Sequence, residues 1–462
     1  MHFIKRYFFL TPLIALGLLA QACTTNSEPE PKPNDKSDIP FPCENGKANS
    51  KYDCNNVDLF SIVTPQELGG DKLNDIWGWT DPETKKQYAL VGLTDGVSFV
   101  DITEPENPIV IGKLDESSLN QKYKQLPRWS YPSCMVGIGE ADYTKSLTKG
   151  TTWRDHKVYN NHLYVVSDAQ PHGMQAFDLT RLRKYDGSTF QTFTHDFLYD
   201  KFSNSHNIVI NEETGFAYAT GITQGELCGS QDSTGLHMVD LSDPKNPTFA
   251  GCYIDSSPGN YRIAPGYIHD AQCVTYSGPD TEYTGQEVCF NSAEGNVVIA
   301  DVTDKENPKT LGFNRVPDMY YSHQGWLTED QNYFLMNDEL DELNLNRNTK
   351  TYIWDVRDLD NPTFVGHYNH STTTIDHNLY IKGNHAYETN YKSGLRILNL
   401  DGVASANLEE VAFFDTQPVL NNSSNEASFD GTWSNFPFFD NGIVILSDIS
   451  NGLFVVRPNL NN

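Results

Sequence analysis

Along the chain, short runs of apolar residues with period-two alternation recur, each bounded by Gly, Asn, Asp or Pro. One run reads Val97-Ser98-Phe99-Val100-Asp101-Ile102-Thr103. It returns as Met174-Gln175-Ala176-Phe177-Asp178-Leu179-Thr180 and as Leu236-His237-Met238-Val239-Asp240-Leu241-Ser242. Further copies are Val297-Val298-Ile299-Ala300-Asp301-Val302-Thr303 and Thr351-Tyr352-Ile353-Trp354-Asp355-Val356-Arg357. Leu395-Arg396-Ile397-Leu398-Asn399-Leu400 and Leu453-Phe454-Val455-Val456-Arg457 bring the set to seven. Their length, alternation and β-branched or aromatic content predict strands. Gly96, Gly173, Gly235, Gly394 and Gly452 precede five of them, as a tight turn into a strand demands.

After four of these strands comes a turn of the form Asp/Glu-x-x-Asn-Pro, as in Asp243-Pro244-Lys245-Asn246-Pro247 and Asp358-Leu359-Asp360-Asn361-Pro362. Asp and Asn cap the turn, and Pro fixes φ as the chain leaves it. An edge strand follows, such as Thr363-Phe364-Val365-Gly366-His367-Tyr368. Two further strands precede each motif, with clear second strands at 161–167, 215–221 and 384–389. Four strands in each of seven repeats describe an all-β, seven-bladed β-propeller. The seventh repeat stops after its third strand, at Arg457-Pro458. An orphan run, Val57-Asp58-Leu59-Phe60-Ser61-Ile62-Val63, is expected to supply the missing strand, so that an N-terminal strand closes the ring and removes an open edge. A solenoid would instead need polar caps at both ends, and none is visible. The expected blades span 74–114, 152–197, 205–253, 268–314, 322–368, 376–415 and 431–458 plus 57–63. Residues 115–150 form an insertion carrying Trp129, Tyr131 and Cys134. So long an irregular segment is functional or disordered, and its aromatics argue against pure disorder.

The N-terminus changes the picture of where this ring resides. Lys5 and Arg6 precede an apolar run, and Leu19-Ala20-Gln21-Ala22-Cys23 follows it. Residues 1–22 therefore read as a signal peptide of the lipoprotein kind, with Cys23 as the lipidated residue. Residues 23–42, polar and rich in Pro and Glu, read as a disordered tether. The expected location is the outer membrane, by an N-terminal lipid and with possible surface exposure. The net charge of −28 excludes nucleic acid as a partner and favours a soluble monomer outside the cell. Eight cysteines in an exported chain suggest disulfides. Proximity within repeats pairs Cys43 with Cys54, Cys228 with Cys252 and Cys273 with Cys289, leaving Cys134 over. Sequence alone allows other connectivities.

Several segments resemble the choice-of-anchor B family, whose propeller repeats are of the LVIVD type. They include Asn74-Asp75-Ile76-Trp77-Gly78-Trp79, Ser205-His206-Asn207-Ile208-Val209-Ile210, His269-Asp270-Ala271-Gln272-Cys273 and Ser322-His323-Gln324-Gly325-Trp326-Leu327. The resemblance covers nearly all of the chain beyond the tether. It implies an exported propeller held by whichever anchor its host uses, and brings no activity with it.

Chemistry must come from the residues. The first strand of five repeats opens on Asp155-His156, Ser205-His206, His269-Asp270, Ser322-His323 or Asp376-His377. In a propeller this strand is innermost, so equivalent positions ring the channel. His156, His206, His269, His323 and His377 are thus candidate ligands for a transition metal, Cu or Zn. Around them the channel mouth is expected to hold Asp155, Asp270, Asp376, Asp168, Asp338, Glu339, Glu388 and Asp448, with His172, Glu226, Asn291, Glu294, Asn337 and Asn390. The alternative is a hydrogen-bonded girdle in which each imidazole bridges its own Asp or Ser to a neighbouring blade. The run from Asn337 to Glu342 offers hard oxygens for Ca²⁺ but lacks the EF-hand pattern, and reads rather as a solvated acidic loop. No G-x-S-x-G elbow, H-E-x-x-H run or P-loop is present, and nothing selects a catalytic triad. The leading expectation is an envelope-anchored module that binds a protein, peptide or glycan at the channel mouth. The alternatives are a metal-dependent oxidoreductase or hydrolase using the hub histidines, and a purely architectural envelope protein.

Overall fold

The computed structural model describes residues 39–116, 151–222, 228, 235–255, 266–316, 319–417 and 426–460. Cys23, the tether up to residue 38, Cys134 with nearly all of the insertion, and Glu226 lie outside them. The described strands form seven sheets. Blade 1 runs Leu73–Thr80, Gln87–Leu93, Gly96–Asp101 and Ile109–Asp115. Blade 2 runs Arg154–Tyr159, His162–Ser167, Met174–Asp178 and Phe197–Tyr199. Blade 3 holds Asn207–Asn211 to Thr248–Tyr253, blade 4 Asp270–Thr275 to Lys309–Asn314, and blade 5 Ser322–Leu327 to Thr363–Asn369. Blade 6 begins at Leu379–Lys382 and reaches Glu409–Phe414. Blade 7 takes Thr432–Phe436, Val444–Asp448 and Gly452–Pro458 from the C-terminal end, and its outer strand is Val57–Val63.

The closing strand pairs antiparallel with Gly452–Pro458, from Val57 opposite Pro458 to Val63 opposite Leu453. Gly452 permits this seam. It has φ of 105°, and a Cβ there would stand 2.1 Å from the Val63 carbonyl oxygen.

Blades bury both faces, so middle strands are buried throughout while outer strands are partly exposed and carry polar residues. Gln87–Leu93 and Glu287–Ala293 are buried at every position, whereas Thr363–Asn369 has none fully buried. Alternate residues of one strand serve different neighbours. Ala89 and Val91 pack toward blade 7, and Leu90 packs toward blade 2. One apolar cluster fills each of the seven gaps between blades. No single large core is needed, so the chain length is no obstacle.

Two departures from the repeat were not expected. Blade 2 lacks the Asn-Pro turn. Its chain detours through a 3₁₀ helix at Leu179–Lys184 and adds Gln191–Phe193 parallel to blade 1's outer strand before returning. Blade 6 gains two strands from the N-terminal side, Tyr52–Asn55 and Lys47–Ala48, held by the Cys43–Cys54 disulfide. Cys228–Cys252 and Cys273–Cys289 are also formed.

Inside the ring the innermost strands build successive layers. Below the histidines lies an ionic knot. Lys157 Nζ stands 2.5 Å from Asp155 and 3.5 Å from Asp75. Asp155 also accepts the backbone N–H of Ile208 in blade 3. Burial opposes charge on Asp155, but Lys157 and these donors hold its carboxyl well below the usual range. The next layer is aromatic. Trp77, Trp326, Tyr380, Phe436 and Phe438, from blades 1, 5, 6 and 7, meet with ring centroids 5.0–6.2 Å apart. Lys157 lies 4.7 Å over the Trp77 ring, joining the two layers.

Two predictions follow from this architecture. Deleting Val57–Val63 exposes the third strand of blade 7 along its length, so the truncated protein is expected to associate in sedimentation and to lose its cooperative melt. A monomer melting like the parent would refute the seam. Lys157→Met removes the one cation between two buried carboxylates and is expected to cost about 3–5 kcal/mol in denaturant unfolding. A loss below about 1 kcal/mol, the worth of an exposed pair, would show that the knot is solvated.

Candidate metal centre

Each first strand delivers its leading side chain to the channel because the strands converge there. Four of the five expected histidines come together. Ring centroids are 4.7 Å apart for His206 and His269, 4.2 Å for His269 and His323, and 4.3 Å for His323 and His377. They form an arc contributed by blades 3 to 6.

The arc is held from behind. His269 Nδ1 donates to the His323 carbonyl at 2.9 Å, and His377 Nδ1 donates to the Trp433 carbonyl at 2.7 Å. His323 Nδ1 is buried and meets no hydrogen-bond partner. His206 Nδ1 donates to Asp168 at 2.9 Å. A carbonyl or carboxylate can only accept, so the proton of each such bond sits on Nδ1, and in the neutral ring the lone pair sits on Nε2. Of the expected girdle, the bonds from His269 and His377 to neighbouring-blade backbone are present, and those to the Asp or Ser next to each histidine are not. Ser205 and Ser322 instead bond backbone carbonyls.

Glu339 completes the group. It follows the second strand of blade 5, and its two oxygens lie 3.8 Å from His323 Nε2 and 3.7 Å from His377 Nε2. Those distances are too long for hydrogen bonds. Among the described residues, His323, Glu339 and His377 form the one group of three or more such side chains with ligand atoms all within 4.8 Å of one another. Burial pushes His377 down to about 3 and His323 well below the usual imidazole value, so both rings are neutral at pH 7. Burial also pushes Glu339 up to about 7, opposed by the hydrogen bond it accepts from Tyr391. His206 is the exception. Burial disfavours its cation, but Asp168 outweighs this and raises it.

A cavity of about 10 Å³ opens onto the arc, lined by Trp153, Arg154, His206, His323, His377 and Trp433. That volume suits one water or one ion.

His156 does not join the arc. His206 and His269 stand one residue before the first paired residue of their strands, whereas His156 stands two residues after Arg154 begins its own. The shift carries its ring into the gap beside blade 1, where Nε2 donates to the Leu90 carbonyl at 2.9 Å. Its tautomer is the opposite of the others. Glu388 is also elsewhere, 3.0 Å from His370. Asp448 accepts from Thr416 and Gln417. Asp270 faces its own strand, accepting from the Ala271 N–H. His172 accepts from Arg154 Nη1 and donates to the Gly173 carbonyl. Asn291 donates to the carbonyls of Cys289 and Val298 within its own blade.

Arg154 was not anticipated. It is 2% exposed, bonds the Leu93 carbonyl, His172 and Glu116, and walls the cavity. Its place in an innermost strand is what requires it to be buried and paired.

No family model matches the chain, and no curated relative matches it. Among solved structures, a protein from Lactobacillus plantarum aligns with TM-score 0.47 and 10% identity over 82% of this chain and 89% of that one. The β-propeller domain of Cps50 (Swd1) from Myceliophteria thermophila aligns with TM-score 0.45 and 11% identity, covering 87% and 98%. Neither likeness bears on ligand or chemistry. The strand pairing itself makes this chain a seven-bladed β-propeller.

Proposed function

We propose that this protein is an exported binding module whose channel holds one transition-metal ion, on His323 Nε2, His377 Nε2 and a Glu339 oxygen. The observation that carries the reading is convergence. His323 Nε2, His377 Nε2 and the two oxygens of Glu339 face one another at 3.7–3.8 Å, beyond hydrogen-bond distance, and His377 keeps its proton on the far nitrogen, Nδ1. Two histidines and a carboxylate with open positions suit Zn²⁺, and Cu binds imidazole as readily. His206 and His269 stand beside the group as further donors. The carbonyls behind His269 and His377 play the orienting part that metal-bound imidazoles require.

The size of the cavity favours an ion over an organic ligand inside the channel. A protein, peptide or glycan partner would engage at the rim, where Trp153 is 49% exposed beside His206. The three disulfides fit export. The Cys23 lipid anchor, outer-membrane placement and membership of the choice-of-anchor B family belong to the same proposal. They are supported by the N-terminal sequence and by a propeller of the expected blade number.

Metal analysis of purified protein is expected to find about one equivalent of Zn or Cu. Saturating metal at about 100 times Kd should stabilise the fold by about 2.7 kcal/mol. His377→Ala should lower metal affinity by more than the roughly 10–100-fold that an outer-shell change costs. His156→Gln should leave affinity unchanged, because that ring faces the gap beside blade 1. Protein without stoichiometric metal, and with a melting temperature unmoved by Zn²⁺ or Cu²⁺, would overturn the reading.

A further inference from the structure

The acidic run after the second strand of blade 5 is not a solvated loop, since Asp338, Asp341 and Glu342 are all buried. Its backbone is fixed where Glu339 leaves the strand. The Asp338 carboxylate accepts the N–H groups of Tyr320 and Tyr321, and the Asp338 N–H donates to Asp376 Oδ2 of blade 6 at 3.4 Å. The Glu339 N–H donates to the Tyr321 carbonyl at 3.1 Å. These bonds do not fix the Glu339 side chain, which has several rotatable bonds of its own. Neither His323 nor His377 is near enough to hydrogen-bond its carboxylate.

The hold on that carboxylate comes from blade 6. Tyr391, 1% exposed, donates its hydroxyl to Glu339 Oε1 at 3.2 Å. It follows the second strand of blade 6, as Glu339 follows that of blade 5. Its backbone has φ of 36°, in the left-handed region that an aromatic residue rarely adopts. Such a conformation persists only where the surroundings over-determine it. Here the Tyr391 carbonyl accepts the N–H of Gly394 at 3.1 Å and, across the gap to blade 7, that of Thr432 at 2.9 Å. Thr432 precedes Trp433, whose carbonyl accepts His377 Nδ1. The Tyr391 ring also packs 4.9 Å from the His377 ring. One turn of blade 6 is thus tied both to Glu339 and to the segment that orients His377.

We propose that Tyr391 is a positioning residue of the channel site, whose hydroxyl occupies Glu339 Oε1 and leaves Oε2, 3.8 Å from His323 Nε2, to the metal ion. This role rests on the metal reading above. It makes the carboxylate a ligand through one oxygen, which keeps a coordination position free for water or a further ligand. A carboxylate already held in place also loses little rotamer freedom when an ion arrives.

The test titrates full-length, metal-stripped protein with Co²⁺, a coloured substitute for Zn²⁺, and reads affinity and visible absorption bands. Tyr391→Phe removes the hydroxyl and keeps the ring. It should lower Co²⁺ affinity about 10–100-fold, the cost of losing a hydrogen-bond partner behind a ligand. It should also change the visible bands, because Glu339 is no longer held, and should melt close to the parent when metal-free. Tyr321→Phe is the control. That ring stands 5.3 Å from His269, but its hydroxyl shares a hydrogen bond with Tyr267, so affinity and bands should match the parent's. The positioning role is overturned if Tyr391→Phe takes Co²⁺ with the parent's affinity and bands, or if Tyr321→Phe loses as much. It is overturned equally if metal-free Tyr391→Phe melts well below the metal-free parent, which would make the hydroxyl structural. A parent that takes up no Co²⁺, Zn²⁺ or Cu²⁺ would overturn the metal site itself, and this role with it.

Discussion

The hydrogen bond from an imidazole Nδ1 to a carbonyl of the next blade is the interaction on which the centre of this molecule depends. It satisfies a buried donor, joins two blades at their narrowest approach, and decides which nitrogen of the ring keeps its lone pair. Without it the rings could adopt either tautomer, and an Nε2 proton would face Glu339 instead of a lone pair. The same contact thus serves cohesion and chemistry. A girdle and a ligand set are not rival descriptions of this hub, because one uses Nδ1 and the other Nε2.

The channel is a sequence of layers because every innermost strand steps through it at the same rate. His323 and His377 occupy one level, and Trp326 and Tyr380 follow three residues later in their strands. Between them sit Asp155 and Lys157. Imidazole, then charge, then aromatic rings gives a shaft with a polar end and an apolar plug. Beyond the arc, among the described residues, Trp77 and Trp326 each pack edge-on against Tyr380.

Much of the fold was legible because a propeller blade buries both faces and repeats its solution. The seven copies of the third strand, and the orphan Val57–Val63 run beside an incomplete last repeat, carry the ring and its seam. Four of five hub histidines were legible for the same reason. His156 was not, because Asp155-His156 and Asp376-His377 look alike as dipeptides while blade 2 begins its pairing earlier, at Arg154 opposite Ser167. Register is a property of two strands and cannot be seen in one. The acidic run at 337–342 misled differently. Charge normally signals solvent, but Asp338, Asp341 and Glu342 are all buried. Lys157 and Arg154 escaped notice because a lone cation in an alternating strand reads as a surface residue until its buried partners, Asp155 in one case and Glu116 in the other, are located.

The N-terminal hairpin gives the ring an asymmetry of mechanics. The chain from residue 39 first bridges Phe41 to Leu59, then lays Lys47–Ala48 and Tyr52–Asn55 onto blade 6, and only then enters blade 7 as the closing strand. A pull applied from the N-terminal side would ordinarily peel these strands away one hydrogen bond at a time. The Cys43–Cys54 disulfide prevents this by carrying tension directly across the hairpin, so residues 44 to 53 bear none of it. The force emerges at Cys54, next to Asn55 paired with Phe413, and continues along Val57–Val63, where it shears a whole row of bonds in parallel. The closing strand is thereby loaded in its strongest direction, and a traction that would unzip an unstapled edge leaves the ring shut.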